Sequence, residues 1–414
     1  MKNITKDALH LIFGNGAPAL IGLICLPFII KGLGASNFGV LTLIWAIIGL
    51  GSIFDFGVGR AMTYEISICS SNNKAQKEKI FTSGLLLTGG IALLITPLAC
   101  FGSRYLIMEL DWLGNLDKPL LVKTFILSML AIVPTTINAV IRGALEGESN
   151  FFGSMINRSL LGSAMFLMPC LDIIYFSGSL DRIALSLLIV RVLLCFMAFL
   201  QLGYRISYPS KELAKKILHY GKWVAISNFL SPIMVYGDRF FITSIIGPSS
   251  LQLYVVPQEL IQRILILPSS ISNSLLPKLS YQTNKESSYR NYKTIERVIG
   301  VIIIISIAIC LIFGKLFFSE WISFDFYTRI EKILLILYFG LFFNSLAQIS
   351  VVILSAINKP HAIGLAHIVE FPVYMGLLYF FIRIYGIDGA AYAWTTRVII
   401  DYAILRYIVY LNLK

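Results

Sequence analysis

The chain has 414 residues, of which 57% are hydrophobic and 14% charged, and it carries a formal net charge of +12. Its mean hydropathy is +0.80, whereas a soluble domain has about a quarter charged residues. The composition therefore excludes a soluble globular protein, and the positive charge points to anionic lipid headgroups rather than to nucleic acid.

A helix rises about 1.5 Å per residue, so about 20 apolar residues cross a hydrocarbon core of about 30 Å. Stretches of that length recur from end to end, and the sequence predicts an all-α integral membrane protein of about twelve spans. In the first half the expected spans are 8–31, 38–62, 80–102, 120–143, 151–176 and 182–204. In the second half they are 221–246, 251–277, 295–317, 331–355, 361–383 and 388–411. The first stretch is too long for a cleaved signal, contains Pro18 and Pro27, and is followed by no small-residue cleavage site.

Basic residues set the orientation. One side receives Lys2, Lys6, Lys74, Lys77, Lys79, Lys211, Lys215, Lys216, Lys222, Lys278, Lys285, Arg290, Lys293, Arg297 and Lys414, among others. The opposite side receives only Lys31, Arg104, Lys118, Lys123, Arg182, Lys315, Arg329, Lys332 and Arg383. The asymmetry places both termini in the cytoplasm. Two cytoplasmic breaks are basic, 205–222 and 278–297. In the first, Leu213, Ile217, Leu218 and Trp223 can share one helical face, with lysines on the other, as in a helix lying on the inner leaflet. The organisation expected is an N-terminal lobe 1–204, an amphipathic linker 205–220 and a C-terminal lobe 221–414. The outer loops are too short for a folded domain.

Laying residues 14–36 over residues 227–249 aligns Asn15 with Asn228, Gly34 with Gly247 and Ser36 with Ser249. The two halves thus read as a parallel repeat of six spans each, around a central cavity suited to alternating access.

An ionised residue at mid-bilayer costs about 2.5–3.5 kcal/mol, so it usually faces a cavity or a partner. Arginine predominates among the intramembrane charges, and its planar fork of donors matches phosphate oxygens. Arg60, Arg191, Arg239, Arg263 and Arg397 are the candidates for a cationic, substrate-binding cavity. Asp55, Asp238, Glu259 and Glu370 are candidate coupling-ion or structural carboxylates. Arg142 and Arg158 can equally lie near the inner surface and snorkel. Asp238 and Arg239 also read as a local ion pair. The triplet Asp55-Phe56-Gly57 spells a kinase motif, but no phosphate loop accompanies it. His10, His219, His361 and His367 have no metal-ligand spacing, and Cys25, Cys69, Cys100, Cys170, Cys195 and Cys310 form no CxxC pair, so no metal, cofactor or disulfide is expected. Some tyrosines are candidates to stack on sugar rings, though the sequence does not single them out.

Lys31-Gly32-Leu33-Gly34, Asn37-Phe38-Gly39-Val40, the Asp55-Phe56-Gly57 turn with Arg60, and Asp238-Arg239-Phe240-Phe241 with Ile246-Gly247 and Tyr254 resemble Wzx-type O-antigen flippases. These belong to the polysaccharide biosynthesis and export branch of the multidrug/oligosaccharidyl-lipid/polysaccharide exporter superfamily. The resemblance implies two six-helix lobes around a cationic cavity in the bacterial inner membrane. It implies transport, not enzymatic chemistry: undecaprenyl-pyrophosphate-linked oligosaccharide moves from the cytoplasmic to the periplasmic leaflet, driven by proton or sodium antiport. The O-antigen polymerase and chain-length regulator are implied partners. A multidrug/cation antiporter of the same superfamily would have an acidic cavity instead. An O-antigen polymerase or ligase would carry a large periplasmic loop.

Overall fold

A computed structural model describes residues 2–413 except 70–72, 110–112, 114–115, 267, 270–284 and 358. Regular structure among the described residues is helical. The first helices are α1 (Lys2–Leu50), α2 (Val58–Ser67), α3 (Lys74–Glu109), α4 (Lys118–Leu130), α5 (Ile132–Gly147), α6 (Phe151–Tyr175) and α7 (Leu180–Leu202). They are followed by α8 (Lys211–Ile245), α9 (Leu251–Ile264), α10 (Lys285–Trp321), α11 (Phe324–Ala356), α12 (Pro360–Tyr385) and α13 (Ile387–Leu413).

Eight helical stretches among the described residues are long and apolar enough to cross a bilayer. The expectation of about twelve spans is met only to that extent. One qualifying stretch runs Gly16–Asp55 and covers two expected spans. They part at Gly34, whose φ of 70° and ψ of 172° interrupt the helix; an L side chain there would be strained. The expected last span lies within α13, which carries Asp388, Arg397, Asp401 and Arg406 and is too charged to qualify.

The chain divides into two compact units, Met1–Phe240 with Gly247–Ser249, and Phe241–Ile246 with Ser250–Lys414. In the first, Val58, Ala61, Met62 and Ile66 of α2 pack with Ile80 and Phe81 of α3 and with Val140, Ile141, Ala144 and Leu145 of α5. Their branched and aromatic side chains are almost wholly buried, leaving the outward faces of α3 and α7 apolar for lipid, as at Leu94, Leu98, Val192 and Leu193. In the second unit, α11 packs against α10 and α13, and α12 against α13. Trp394, Val398, Leu405 and Val409 bury one stripe of α13 at helical spacing.

The segment expected to be the amphipathic linker has two parts. Up to Ser210 it is a non-helical strap. Its amides donate to α3: Arg205 N to Glu78 at 3.0 Å, Ser207 N to Thr82 at 3.0 Å and Ser210 N to Ser83 at 2.9 Å. From Lys211 onwards it is the start of α8. Ile217 joins the α2/α3/α5 core and Leu213 packs against it, while Lys216 reaches Glu65 at 2.7 Å. Leu218 is exposed, and the Trp223 side chain lies outside the described residues.

Glu148, just past α5, ties this end together. It accepts from buried Lys77 at 2.9 Å and from the Tyr204 hydroxyl. Burial raises the Glu148 carboxyl, but the bonds from Tyr204 and Lys77 outweigh it and hold the group below its usual value. A depressed carboxylate stabilises the fold above its unfolded pKa, and that contribution is lost as pH falls through the folded value. Glu148→Gln is therefore expected to lower the melting temperature of purified protein at pH 7. The gap from wild type should close as the pH is lowered below about 4. Melting curves across that range check this.

Candidate functional site

The residues after α1 explain how the first unit places its charges. A short 3-10 turn, Gly51–Asp55, ends with Phe56 at φ 47° and Gly57 at φ 75°. Asp55 Oδ1 accepts from Gly57 N at 2.8 Å, an Asx-type bond that holds the reversal. The triplet that spells a kinase motif is thus a backbone turn, and it restarts the chain as α2.

Helix α2 then crosses α5 at minimal distance. A Cβ on Gly143 would lie 2.0 Å from the Gly59 carbonyl oxygen, and one on Gly59 would lie 2.9 Å from that of Ala139. Small residues permit such approaches within a membrane, and Thr63 Oγ1 spans the crossing to Gly143 O at 3.1 Å. Each glycine has an arginine as chain neighbour, Arg60 on α2 and Arg142 on α5. The crossing brings both onto one cavity of about 330 Å³, which Asp55, Glu146, Arg158 and Pro232 also line.

The cavity holds three guanidiniums against two carboxylates. Glu146 lies 3.5 Å from Arg158, and Asp55 is occupied by its turn. Arg60 is exposed to the cavity. Arg142 Nε is buried and makes no hydrogen bond among the described residues. Two guanidinium forks with unspent donors on a basic cavity can engage a doubly charged oxyanion by paired, charge-assisted hydrogen bonds.

The second unit carries a cluster of opposite balance. Arg397 Nε lies 2.9 Å from Glu370 Oε1, and His367 Nε2 lies 4.0 Å from Asp401 Oδ1. Ligand atoms of His367, Glu370 and Asp401 lie within 4.8 Å of one another. Among the described residues, Glu370 Oε2 and Asp401 Oδ1 are buried without hydrogen-bond partners, while Glu370 Oε1 is held by Arg397. Two carboxylates against one guanidinium leave capacity for a small cation, most simply a proton.

Of the sequence-derived arginines, only Arg60 lines the first cavity. Arg191 is 5% exposed; it donates to Leu187 O at 3.0 Å and to the Met165 sulfur at 2.7 Å, between α7 and α6. Arg239 is buried, donates to Thr42 O at 3.1 Å and stacks over Tyr236 at 5.2 Å. Asp238 beside it is fully buried. Arg263 pairs with Glu259 at 3.2 Å one turn away on α9. Arg397 and Glu370 meet in the second cluster. Sequence reasoning did not place Arg142, Arg158, Asp401 and His367 in these sites. The available signals were Arg60 and Arg142 next to glycines, and an H-x-x-E pair at 367 and 370 facing an R-x-x-x-D pair at 397 and 401.

The helical arrangement of the described residues defines the fold of a polytopic membrane protein. Similar solved structures are the inward-facing multidrug resistance MATE family transporter of the MOP superfamily, with TM-score 0.78, 14% identity and coverage of 97% of this chain and 94% of that one. The lipid II flippase MurJ in its inward closed conformation gives TM-score 0.75 and 17% identity over 98% of this chain and 87% of that one.

The chain belongs to the polysaccharide biosynthesis protein family, whose profile matches residues 33–304. It is 30% identical to a candidate O-antigen transporter of Shigella flexneri, over 98% of this chain and 97% of that protein. It is 24% identical to a candidate low-salt glycan biosynthesis flippase of Haloferax volcanii, over 94% of this chain and 80% of the relative.

Because Gly143 meets backbone rather than a flexible side chain, Gly143→Ala must push α5 away from α2. Overpacking of this kind costs about 1–3 kcal/mol. A lower melting temperature and a longer spin-label separation between cysteines introduced on α2 and α5 are the expected readouts.

Proposed function

We propose that this chain is a flippase that carries undecaprenyl-pyrophosphate-linked O-antigen oligosaccharide from the cytoplasmic to the periplasmic leaflet of the bacterial inner membrane. The observation that carries the reading is the convergence of Arg60, Arg142 and Arg158 on one cavity. A pyrophosphate is the part of such a substrate least able to enter lipid, and guanidiniums replace its lost hydration with charge-assisted bonds. The polyprenyl tail needs no path, because it stays in hydrocarbon throughout. Both termini lie in the cytoplasm by the distribution of lysine and arginine. The O-antigen polymerase and chain-length regulator are the partners expected downstream.

Transport against a gradient requires coupling, and the buried group of Glu370, Asp401 and His367 is its proposed seat. The cluster offers three ligand atoms, one of them a histidine nitrogen, fewer oxygens than a sodium ion coordinates, whereas a proton needs a single carboxylate oxygen, which favours a proton as the antiported ion. The multidrug antiporter reading remains the competitor, because the fold is shared with such transporters. A basic cavity disfavours it, since a cationic drug would meet three arginines there.

Complementation tests the reading. In a strain deleted for its own flippase and supplied with the matching repeat unit, the wild-type gene is expected to restore surface polysaccharide. Arg60→Ala and Arg142→Ala are expected to reduce it about ten- to a hundredfold at equal protein level, as suits the loss of a charged hydrogen bond worth about 1.5–3 kcal/mol. Failure of the wild type, or full activity of both variants, overturns the assignment. For coupling, an imposed pH gradient should speed the wild type and have no effect on Glu370→Gln, whereas replacing sodium by choline should change neither.

A further inference from the structure

The second unit holds another concave site, a groove of about 490 Å³ where α10 faces α13. Its walls are Tyr289 and Tyr292 from α10 and Tyr402, Tyr407 and Tyr410 from α13, with Phe343 of α11 also lining it. Tyr407 and Tyr410 lie one helical turn apart on α13, and Tyr410 sits between Tyr402 and Tyr407 around the helix. Tyr289 packs on Tyr292 with ring centroids 6.2 Å apart, and edge-on to Tyr410 at 6.3 Å. The volume falls within the range of small-molecule sites.

The groove is charged but internally neutralised. Glu296 accepts from the Tyr402 hydroxyl at 2.6 Å and from that of Tyr292 at 3.3 Å. Arg406 donates to Tyr402 Oη at 2.7 Å and lies 3.3 Å from Glu296. The Tyr292 hydroxyl also meets Ser350 Oγ at 3.1 Å. Two tyrosine hydroxyls are thus turned into the protein and fixed there. Tyrosines of a membrane-interface belt instead send their hydroxyls to the headgroups. At the rim, Tyr407 is 63% and Tyr410 41% exposed, so ring surface is available at the mouth.

These properties select a class of ligand. With Arg406 paired, an anion gains little here. An acyl chain would lose the solvation of a polar floor. A ligand with apolar C–H faces and a rim of hydroxyls matches both halves: its faces cover tyrosine rings, and its hydroxyls meet the polar network. We propose that this groove binds the sugar portion of the transported substrate, with pyranose faces stacked on Tyr407 and Tyr410. The proposal rests on the flippase reading for the identity of the sugar, and it assigns glycan recognition to the second unit and pyrophosphate recognition to the first.

The test is equilibrium binding to purified protein in nanodiscs. The probe is the lipid-free oligosaccharide repeat released by mild acid from the host's own lipid-linked precursor, with sugar-free undecaprenyl pyrophosphate as the second probe. The double variant Tyr407→Ala/Tyr410→Ala is expected to bind the oligosaccharide about tenfold more weakly, with an unchanged melting temperature and unchanged binding of undecaprenyl pyrophosphate. Tyr407→Phe/Tyr410→Phe, which keeps both rings, should retain most of the sugar affinity. No oligosaccharide binding to wild type, equal binding to the alanine variant, or an equal loss for the sugar-free lipid would overturn the proposal; the last result would mark a lipid-facing belt. The two readings separate cleanly. If wild type fails to restore export, the flippase assignment falls, and the binding measurement still decides the groove. If wild type restores export and the alanine variant binds sugar normally, only the groove assignment falls.

Discussion

Gly143 sits so close to Gly59 that a single methyl group on it would overlap a carbonyl oxygen at 2.0 Å. Most of the chemistry of the first unit depends on that approach. In lipid, helices gain little from apolar contact with each other, because the solvent is itself apolar, so close backbone packing carries much of the association. Here the packing also determines electrostatics. The arginines are chain neighbours of the two glycines, so where the helices touch fixes where Arg60 and Arg142 project. The Asp55 turn contributes by ending the previous helix and setting the register at which α2 begins.

The two units differ in the charge they keep inside. The cavity of the first has three guanidiniums and two carboxylates. The His367, Glu370, Asp401 and Arg397 group of the second has two carboxylates and one guanidinium. Burying ionised groups is expensive, and a chain bears that cost chiefly where function requires it. A carrier that moves an anionic headgroup one way and a cation the other needs a site of each sign. On the proposed reading, the two groups are the candidates for those sites, in separate parts of the chain.

Apolar length made the helices legible in the sequence, since a run of about 20 apolar residues has few alternatives to a span. The break at Gly34 was legible too, because Lys31-Gly32-Leu33-Gly34 interrupts the apolar run. Direction around each helix was far less so. Arg191 and Arg142 are both single arginines in apolar stretches, yet one turns into contacts with α6 and its own helix while the other lines a cavity. Their difference comes from which neighbouring helix each meets, and spacing within one helix carries no record of that. The cluster around Glu370 was half visible: the carboxylate and Arg397 stood out as intramembrane charges, but His367 lacked any metal-ligand spacing. Its relation to Asp401 exists only once α12 and α13 pack together. The tyrosine groove depends in the same way on α10 meeting α13, because tyrosines that the sequence did not single out become walls of one cavity only when the two helices face each other.

In the proposed mechanism, the arginine cavity recognises pyrophosphate during transfer between leaflets. The most direct measurement uses vesicles reconstituted with purified protein and lipid-linked oligosaccharide placed in one leaflet, following its appearance in the other with an enzyme that modifies only exposed sugar. Wild type should equilibrate the substrate between leaflets, and Arg60→Ala/Arg142→Ala should leave it where it was placed. Equal rates for wild type and the double variant would contradict the account.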